Sequence, residues 1–126
     1  MRVAHAFSRR TLARFAVAAA AVALHAAAPA AEAPATAIEI RKFAFVPQEI
    51  TVAPGTRVTW TNADETPHTV ASRDASFKSK ALDTGDTFSF TFANAGDFAY
   101  FCTLHPFMTG VVHVRADAKA GAGTAP

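Results

Sequence analysis

The sequence has a single cysteine, Cys102, and only one methionine besides the initiator, Met108. One cysteine cannot form a disulfide within the chain, so no disulfide framework supports the fold. A chain of 126 residues must therefore bury an apolar core of its own, and this length suits one domain. The cysteine itself must be free, paired between chains, or bound to another group.

Outside its first thirty positions, the chain has no excess of basic residues. Four of its 12 lysines and arginines lie in that leader, where there is no acidic residue, and the rest of the chain has eight basic and ten acidic residues. No basic cluster suited to phosphates is left. We therefore expect no nucleic-acid partner.

The sequence also lacks an apolar run of the roughly 20 residues that span a bilayer. Residues 15–28 are largely apolar but shorter; they follow an arginine-rich start and precede small residues and prolines. This is the layout of a secretory signal peptide. We predict that residues 1–31 are cleaved on export to the periplasm, at a boundary between 30 and 35, which leaves no stable membrane association. Ser-Arg-Arg-Thr-Leu at residues 8–12 resembles a twin-arginine export signal, and ordinary export of the unfolded chain is the alternative.

Beyond the leader there is no convincing amphipathic helix. Short alternating apolar runs separated by turn residues predict an all-β sandwich instead. We place a domain of seven or eight strands at residues 37–115, after a flexible segment at 32–36 and before a flexible tail of small residues at 116–126. Residues 68–71 are interpreted as one of the strands, beginning at His68.

The same alternation predicts which side chains face the core. Between residues 86 and 92 three phenylalanines alternate with small polar residues, and Phe77 is an isolated apolar anchor in a polar segment. Phe98, Tyr100 and Cys102 share one face of a later strand. Cys102 should therefore point inward at the end of that strand.

Three residues with metal-binding side chains follow one another at even spacing: Cys102, His105 and Met108. One cysteine, two histidines and a weak axial methionine form the ligand set of blue copper electron-transfer sites. Structural zinc usually has two or more thiolates, and a dinuclear copper centre would need a second cysteine. The remaining alternative is a buried cysteine and a methionine that merely fill the core.

A second histidine is needed, and outside the leader the choice lies between His68 and His113. His68 follows a polar loop and Pro67, which favours an end of the sandwich where loops gather. His113 alternates with Val112 and Val114, so it faces solvent if those two face the core. We favour His68.

These residues carry a resemblance to a known family, the cupredoxins, which are small blue copper proteins. Residues 37–115 resemble them in a Val-x-Trp-x-Asn strand, a Pro-His pair at 67–68, a Gly-Asp-Phe-Ala-Tyr strand and the CxxHxxM loop, and most resemble amicyanin and the plastocyanin-type electron carriers. The resemblance implies an eight-stranded Greek-key β-sandwich with one copper ion near one end. It also implies four ligands: His68, Cys102, His105 and Met108.

The function that follows is single-electron transfer through Cu(I) and Cu(II), without an enzymatic reaction, because the sequence has no obvious apparatus for substrate turnover. The resemblance suggests a monomer with transient redox partners, such as an amine dehydrogenase or a c-type cytochrome. An apolar patch around His105 would serve docking: Pro67, Leu104, Pro106 and Phe107. The alternative is a periplasmic copper-binding or delivery protein that uses the same site.

Two positions depart from the amicyanin pattern. Thr69 stands where asparagine is common, and it can offer a hydroxyl but not an amide. Leu104 stands where amicyanin has proline, and it keeps a backbone N–H. We expect that N–H to act near the sulfur and to raise the reduction potential.

Overall fold

A computed structural model describes residues 18–23 and 35–118, and in the second range it shows eight strands and no helix. The chain divides into two units, residues 1–30 and 31–126. Of the first unit, residues 18–23 are exposed and have no regular secondary structure. No helix within the two described ranges is long and apolar enough to cross a membrane. Most of the predicted signal peptide and the end of the predicted tail lie outside the described residues.

The second unit is a sandwich of two four-stranded sheets. The strands are β1 (Ala35–Arg41), β2 (Ala44–Val46), β3 (Glu49–Val52), β4 (Thr56–Asn62), β5 (Ala71–Ser72), β6 (Thr87–Phe92), β7 (Gly96–Phe101) and β8 (Thr109–Val114). Their orders in the two sheets are β2-β1-β4-β6 and β3-β8-β7-β5. Two pairs are parallel, β1 with β4 and β3 with β8, and the other neighbours are antiparallel. The predicted all-β, eight-stranded sandwich is confirmed.

The core is built around Trp60 of β4, which is fully buried. Four aromatic rings have centroids 5.4 to 6.4 Å from its own: Phe77, Phe88, Phe92 and Tyr100. The phenylalanines of β6 turn toward the core as predicted, since Phe92 is buried and its two alternating neighbours pack against the buried cluster. Phe77, the expected anchor, is buried as well. The aromatic residues therefore supply much of the apolar burial that a chain without disulfides needs.

The strand predicted at residues 68–71 is wrong in its position, because β5 contains only Ala71 and Ser72. His68 makes a single bridge to Leu82, with N–H to C=O distances of 3.1 and 2.7 Å. Two residues later, the N–H of Val70 donates to the hydroxyl of Ser79 at 2.8 Å. Since the amides of this segment bind side chains as well as backbone, no continuous ladder forms. His68 therefore lies in a loop whose backbone is held by hydrogen bonds.

On β8, His113 faces away from the buried valines, as predicted. Its Nδ1 lies 2.7 Å from Oδ1 of Asp97 on β7, and Arg115 contacts the same oxygen at 2.6 Å. The hydrogen bond from His113, followed by that from Arg115, lowers the pKa of Asp97 from its ordinary value. A carboxyl group whose folded pKa is depressed stabilises the fold above its unfolded pKa, and that contribution is lost as the pH falls through the folded pKa.

We expect Asp97→Asn to lower the melting temperature at pH 7 by no more than about 4 °C, because exposed ion pairs contribute little. Near pH 2 the variant and the native protein should melt together, since both then lack the carboxylate. Thermal unfolding followed by circular dichroism at both pH values measures this. Asp117→Asn is the control, because Asp117 is exposed and forms no ion pair with any described residue. An equal decrease at both pH values would contradict the electrostatic explanation.

Candidate metal centre

The side chains of His68, Cys102 and His105 converge at one end of the sandwich. The sulfur of Cys102 lies 3.8 Å from Nδ1 of His68 and 3.7 Å from Nδ1 of His105. All three atoms lie within 4.8 Å of one another. Within the described ranges, no other group of three or more histidines, cysteines and acidic residues is placed to hold a metal ion. The structure thus brings His68 to Cys102, while His113 lies elsewhere, paired with Asp97 on the face of the second sheet.

The distances fit one ion at the centre of the three atoms. Metal bonds of about 2.0 to 2.1 Å to imidazole nitrogen and about 2.3 Å to thiolate sulfur, separated by angles of roughly 110 to 120°, place nitrogen and sulfur about 3.5 to 3.8 Å apart. The observed separations are 3.7 and 3.8 Å. A thiolate with two imidazoles suits copper or zinc, and the thioether of Met108 on the same loop favours copper.

The loop between β7 and β8 is folded back on itself by its own backbone. The N–H of Cys102 donates to the C=O of Met108 at 3.1 Å, and the N–H of Met108 donates to the C=O of His105 at 2.9 Å. Cys102 and Met108 are buried, whereas His105 is half-buried. Cys102 therefore points inward, as strand alternation predicted. Among the four proposed ligands, His105 therefore has the side chain that is most accessible to another protein.

Thr69 joins the two segments that carry the ligand atoms. Its N–H donates to the sulfur of Cys102 at 3.3 Å. Its hydroxyl accepts the N–H of Thr103 at 2.7 Å and lies 2.8 Å from the hydroxyl of the same residue. The sequence predicted that the N–H of Leu104 would act near the sulfur of Cys102, but within the described residues Leu104 donates no hydrogen bond to it. The backbone donor to the sulfur is the N–H of Thr69. The threonine thus fixes the loops through its hydroxyl.

We expect Thr69→Val to lower the free energy of unfolding by about 1 to 2 kcal/mol, because the N–H of Thr103 loses its acceptor in a part-buried position. The valine keeps the branched shape and the N–H to the sulfur. Chemical denaturation of the metal-free protein measures the loss. Thr103→Val is the matched control, since it removes one hydroxyl but leaves that backbone N–H bound to Thr69. A control as destabilised as Thr69→Val would mean that the hydroxyl pair, rather than the backbone bond, holds the loops.

Sequence reasoning missed Asp64, the carboxylate that contacts the far side of His68. Its Oδ2 lies 2.8 Å from Nε2 of His68. Nε2 therefore carries the proton, and the lone pair of Nδ1 faces Cys102. Partial burial acts to raise the pKa of Asp64, but hydrogen bonds from Phe43, His68 and Lys42 outweigh it and lower the pKa. The only sequence signal was an acidic residue four positions before the histidine, which is common in polar loops.

Asn62, the last residue of β4, places this carboxylate. Its side chain is fully buried and donates to the C=O of Thr66 at 3.0 Å and of Leu82 at 2.8 Å. Its Oδ1 accepts the N–H of Asp64 at 3.0 Å. The asparagine of the Val-x-Trp-x-Asn strand therefore satisfies the polar groups of the loop that leads to His68.

His105 is surrounded by apolar side chains that reach the surface. The ring centroids of Phe43 and Phe107 lie 5.1 and 6.1 Å from its own. Within residues 35–118, three large apolar residues are exposed, Phe43, Leu104 and Phe107, by 42, 52 and 71%. Leu104 and Phe107 were predicted for this patch. Phe43 was not, because it comes from the turn between β1 and β2.

Comparison with known proteins agrees with this geometry. Residues 14–114 match the family model of the cupredoxin-like domain. Amicyanin-alpha of Methylorubrum extorquens is 34% identical over 115 residues, which are 87% of this chain and 97% of that protein. Amicyanin of Paracoccus versutus is 34% identical over 86 residues, 64% of this chain, and the chain spans 65% of that relative's length.

Solved structures show the same likeness. A purple cupredoxin from Nitrosopumilus maritimus is 33% identical, with a TM-score of 0.60 over 64% of this chain and 99% of that one. A reduced amicyanin variant is also 33% identical, with a TM-score of 0.62 over 65% of this chain and 83% of that one. The fold is therefore shared with these proteins.

Proposed function

The chain belongs to the cupredoxin-like family and is most like amicyanin, and from this we propose that it carries single electrons between redox proteins outside the cytoplasm. The observation that carries the proposal is the convergence of one cysteine sulfur and two histidine nitrogens within 4.8 Å. We assign four residues that would hold one copper ion: His68, Cys102 and His105 as close ligands, and Met108 as a weaker thioether ligand.

A bound copper ion would supply the redox chemistry, as Cu(I) and Cu(II). The protein residues hold the ligand atoms in one arrangement before and after transfer. Thr69 holds the sulfur, Asp64 orients His68, and backbone hydrogen bonds join Cys102, His105 and Met108 in one short loop. Because little has to move when the charge changes, the energy of reorganisation stays low.

Electron transfer through His105 follows from its partial exposure and its apolar surroundings. We define the docking patch as Phe43, Pro67, Leu104, Pro106 and Phe107. A patch of this kind suits a brief encounter, since redox partners use small interfaces. By likeness to amicyanin, an amine dehydrogenase and a c-type cytochrome are the partner classes to test, with this chain acting as a monomer.

Three further points belong to the proposal. The arginine-rich leader supports export to the periplasm. The buried sulfur and His68, both fully shielded from solvent, favour a carrier over a copper-delivery protein, whose metal must be handed to another protein. A set of four protein ligands leaves no position for a substrate, which supports a non-enzymatic role.

Copper loading of the exported chain tests the function. We expect an intense visible absorption from the thiolate, an electron paramagnetic resonance spectrum with narrow copper splitting, and reversible one-electron voltammetry. Colourless copper, or copper that does not cycle, would contradict the carrier and support the delivery protein. Zinc loading is the control, because zinc has no redox chemistry in this site.

We expect Phe107→Glu to slow electron transfer to a partner at least tenfold, because a charge would have to be desolvated at the centre of the docking patch. Phe107 is 71% exposed, so stability and the visible spectrum should not change. Stopped-flow kinetics with a c-type cytochrome measures the rate. Thr91→Glu on the exposed side of β6 introduces the same charge far from the loop and is the control. Equal rates for the two variants would show that docking takes place elsewhere.

A further inference from the structure

One carboxylate joins the metal centre to a part of the chain that carries none of the proposed ligands. Oδ2 of Asp64 contacts Nε2 of His68 at 2.8 Å. The same carboxylate accepts the N–H of Lys42 at 2.6 Å and the N–H of Phe43 at 3.0 Å. Its side chain is only 14% exposed. Both oxygens are therefore in use, and Oδ2 is shared between the turn and the imidazole.

The turn that Asp64 holds has an unfavourable backbone conformation. Lys42 and Phe43 have φ angles of +52° and +57°. Residues with a Cβ rarely adopt this region, and two in succession cost free energy. Such a conformation persists only where its surroundings stabilise it. The two amide hydrogen bonds to Asp64 provide that stabilisation.

The β1–β2 turn also places the ring of Phe43 against the imidazoles of His68 and His105. Its centroid lies 5.2 Å from that of His68 and 5.1 Å from that of His105, and it is perpendicular to both rings. The two imidazole centroids are 5.0 Å apart. The three rings therefore contact one another pairwise, and the phenylalanine restricts rotation of both histidines.

We propose that Asp64 is a positioning residue that couples the β1–β2 turn to the metal centre. It keeps the proton of His68 on Nε2 and, through the turn, keeps Phe43 packed against both histidines. This inference rests on the proposed copper site for its effect on the metal, but not for its effect on His68 itself. A carboxylate that served only as a cap for the turn would stabilise the fold without influencing the tautomer.

Asp64→Asn in the exported chain tests the proposal. Asparagine keeps only one acceptor oxygen. Its NH₂ group must therefore face either the N–H of Lys42, or both the N–H of Phe43 and Nε2 of His68, and the second orientation leaves Nε2–H without an acceptor. In the metal-free protein, nitrogen NMR should show His68 changing from an Nε2–H tautomer to a mixture with Nδ1–H. In the copper protein, the affinity for copper should fall about 10- to 100-fold, as is usual when a partner of a metal-bound histidine is removed. We expect this loss to appear as faster dissociation of copper.

Two control variants separate the effect of the Asp64 carboxylate from a general loss of negative charge and from the packing of the Phe43 ring. Glu65→Gln removes the neighbouring exposed carboxylate and should leave the tautomer and the copper dissociation rate unchanged. Phe43→Leu keeps the turn but removes the ring; it should retain the Nε2–H tautomer and yet alter the copper resonance spectrum. If Asp64→Asn does not fold, Asp64→Glu is measured in its place, and a shift in the same direction is expected.

A pure Nε2–H tautomer in the Asp64 variant, together with copper dissociation within twofold of the native rate, would overturn the proposal. The tautomer is read without metal, so it still tests Asp64 if the native protein proves not to be a blue copper carrier. Conversely, a native protein with the expected copper spectrum and an insensitive Asp64 would reject the coupling alone.

Discussion

Replacing Cys102 by serine should abolish the intense visible absorption of the copper protein and weaken copper binding by more than about 100-fold, a loss larger than that usual for residues behind the ligands. The thiolate is the only anion among the four proposed ligands, and it accepts the N–H of Thr69 at 3.3 Å. A serine hydroxyl stays protonated at neutral pH and offers no soft sulfur donor. Competition titration with a copper chelator and absorption spectroscopy measure the two effects.

The chain offers matched controls for this result. Because Cys102 is the only cysteine, thiol labelling reports directly on its state. His68→Gln should also lose the absorption, whereas His113→Gln should keep it, since His113 is held by Asp97 and Glu49 on the sheet surface. An intense band in Cys102→Ser, or its loss in His113→Gln, would reject the assigned ligands.

Gly110→Ala should lower the free energy of unfolding by about 3 kcal/mol or more, at the upper end of the range for overpacked cores. Gly110 pairs with Tyr100 across β8 and β7. An added Cβ would overlap Cζ and Oη of Tyr100 and lie 2.8 Å from its Cε1. The tyrosine ring is fully buried against Phe45 and Trp60, so it cannot move aside. Denaturant unfolding of the metal-free protein measures the loss.

Gly85→Ala is the matched control for an added methyl group. Its Cβ would meet no atom within 4 Å, although its φ of +85° disfavours a side chain. We therefore expect a loss of only about 1 to 2 kcal/mol there. A loss at Gly110 no larger than that at Gly85 would contradict the overlap with Tyr100, because Gly110 has no positive φ that would disfavour alanine. Because Gly110 follows the ligand loop, its variant should also release copper faster.

Much of the fold could be predicted because its signals are local. The pleat of a strand makes side chains alternate, so the inward direction of Phe92, Tyr100 and Cys102 could be inferred from neighbouring residues. The loop from Cys102 to Met108 spans seven positions, and its chemistry is evident without knowledge of the fold. The prediction was wrong at residues 68–71, which were interpreted as a strand beginning at His68. There the amide of Thr69 binds the sulfur of Cys102 instead of a neighbouring strand.

The sequence by itself determined the β-sandwich class, the soft donor set and the preference for His68 over His113. Only the tertiary structure decided which groups support those donors: the N–H of Thr69 on the sulfur, Asp64 behind His68 and Phe43 against both imidazoles. These contacts join positions 33 residues apart for Thr69 and Cys102, and 21 for Phe43 and Asp64. No local pattern encodes such pairings, because they exist only after the two sheets and their loops have packed together.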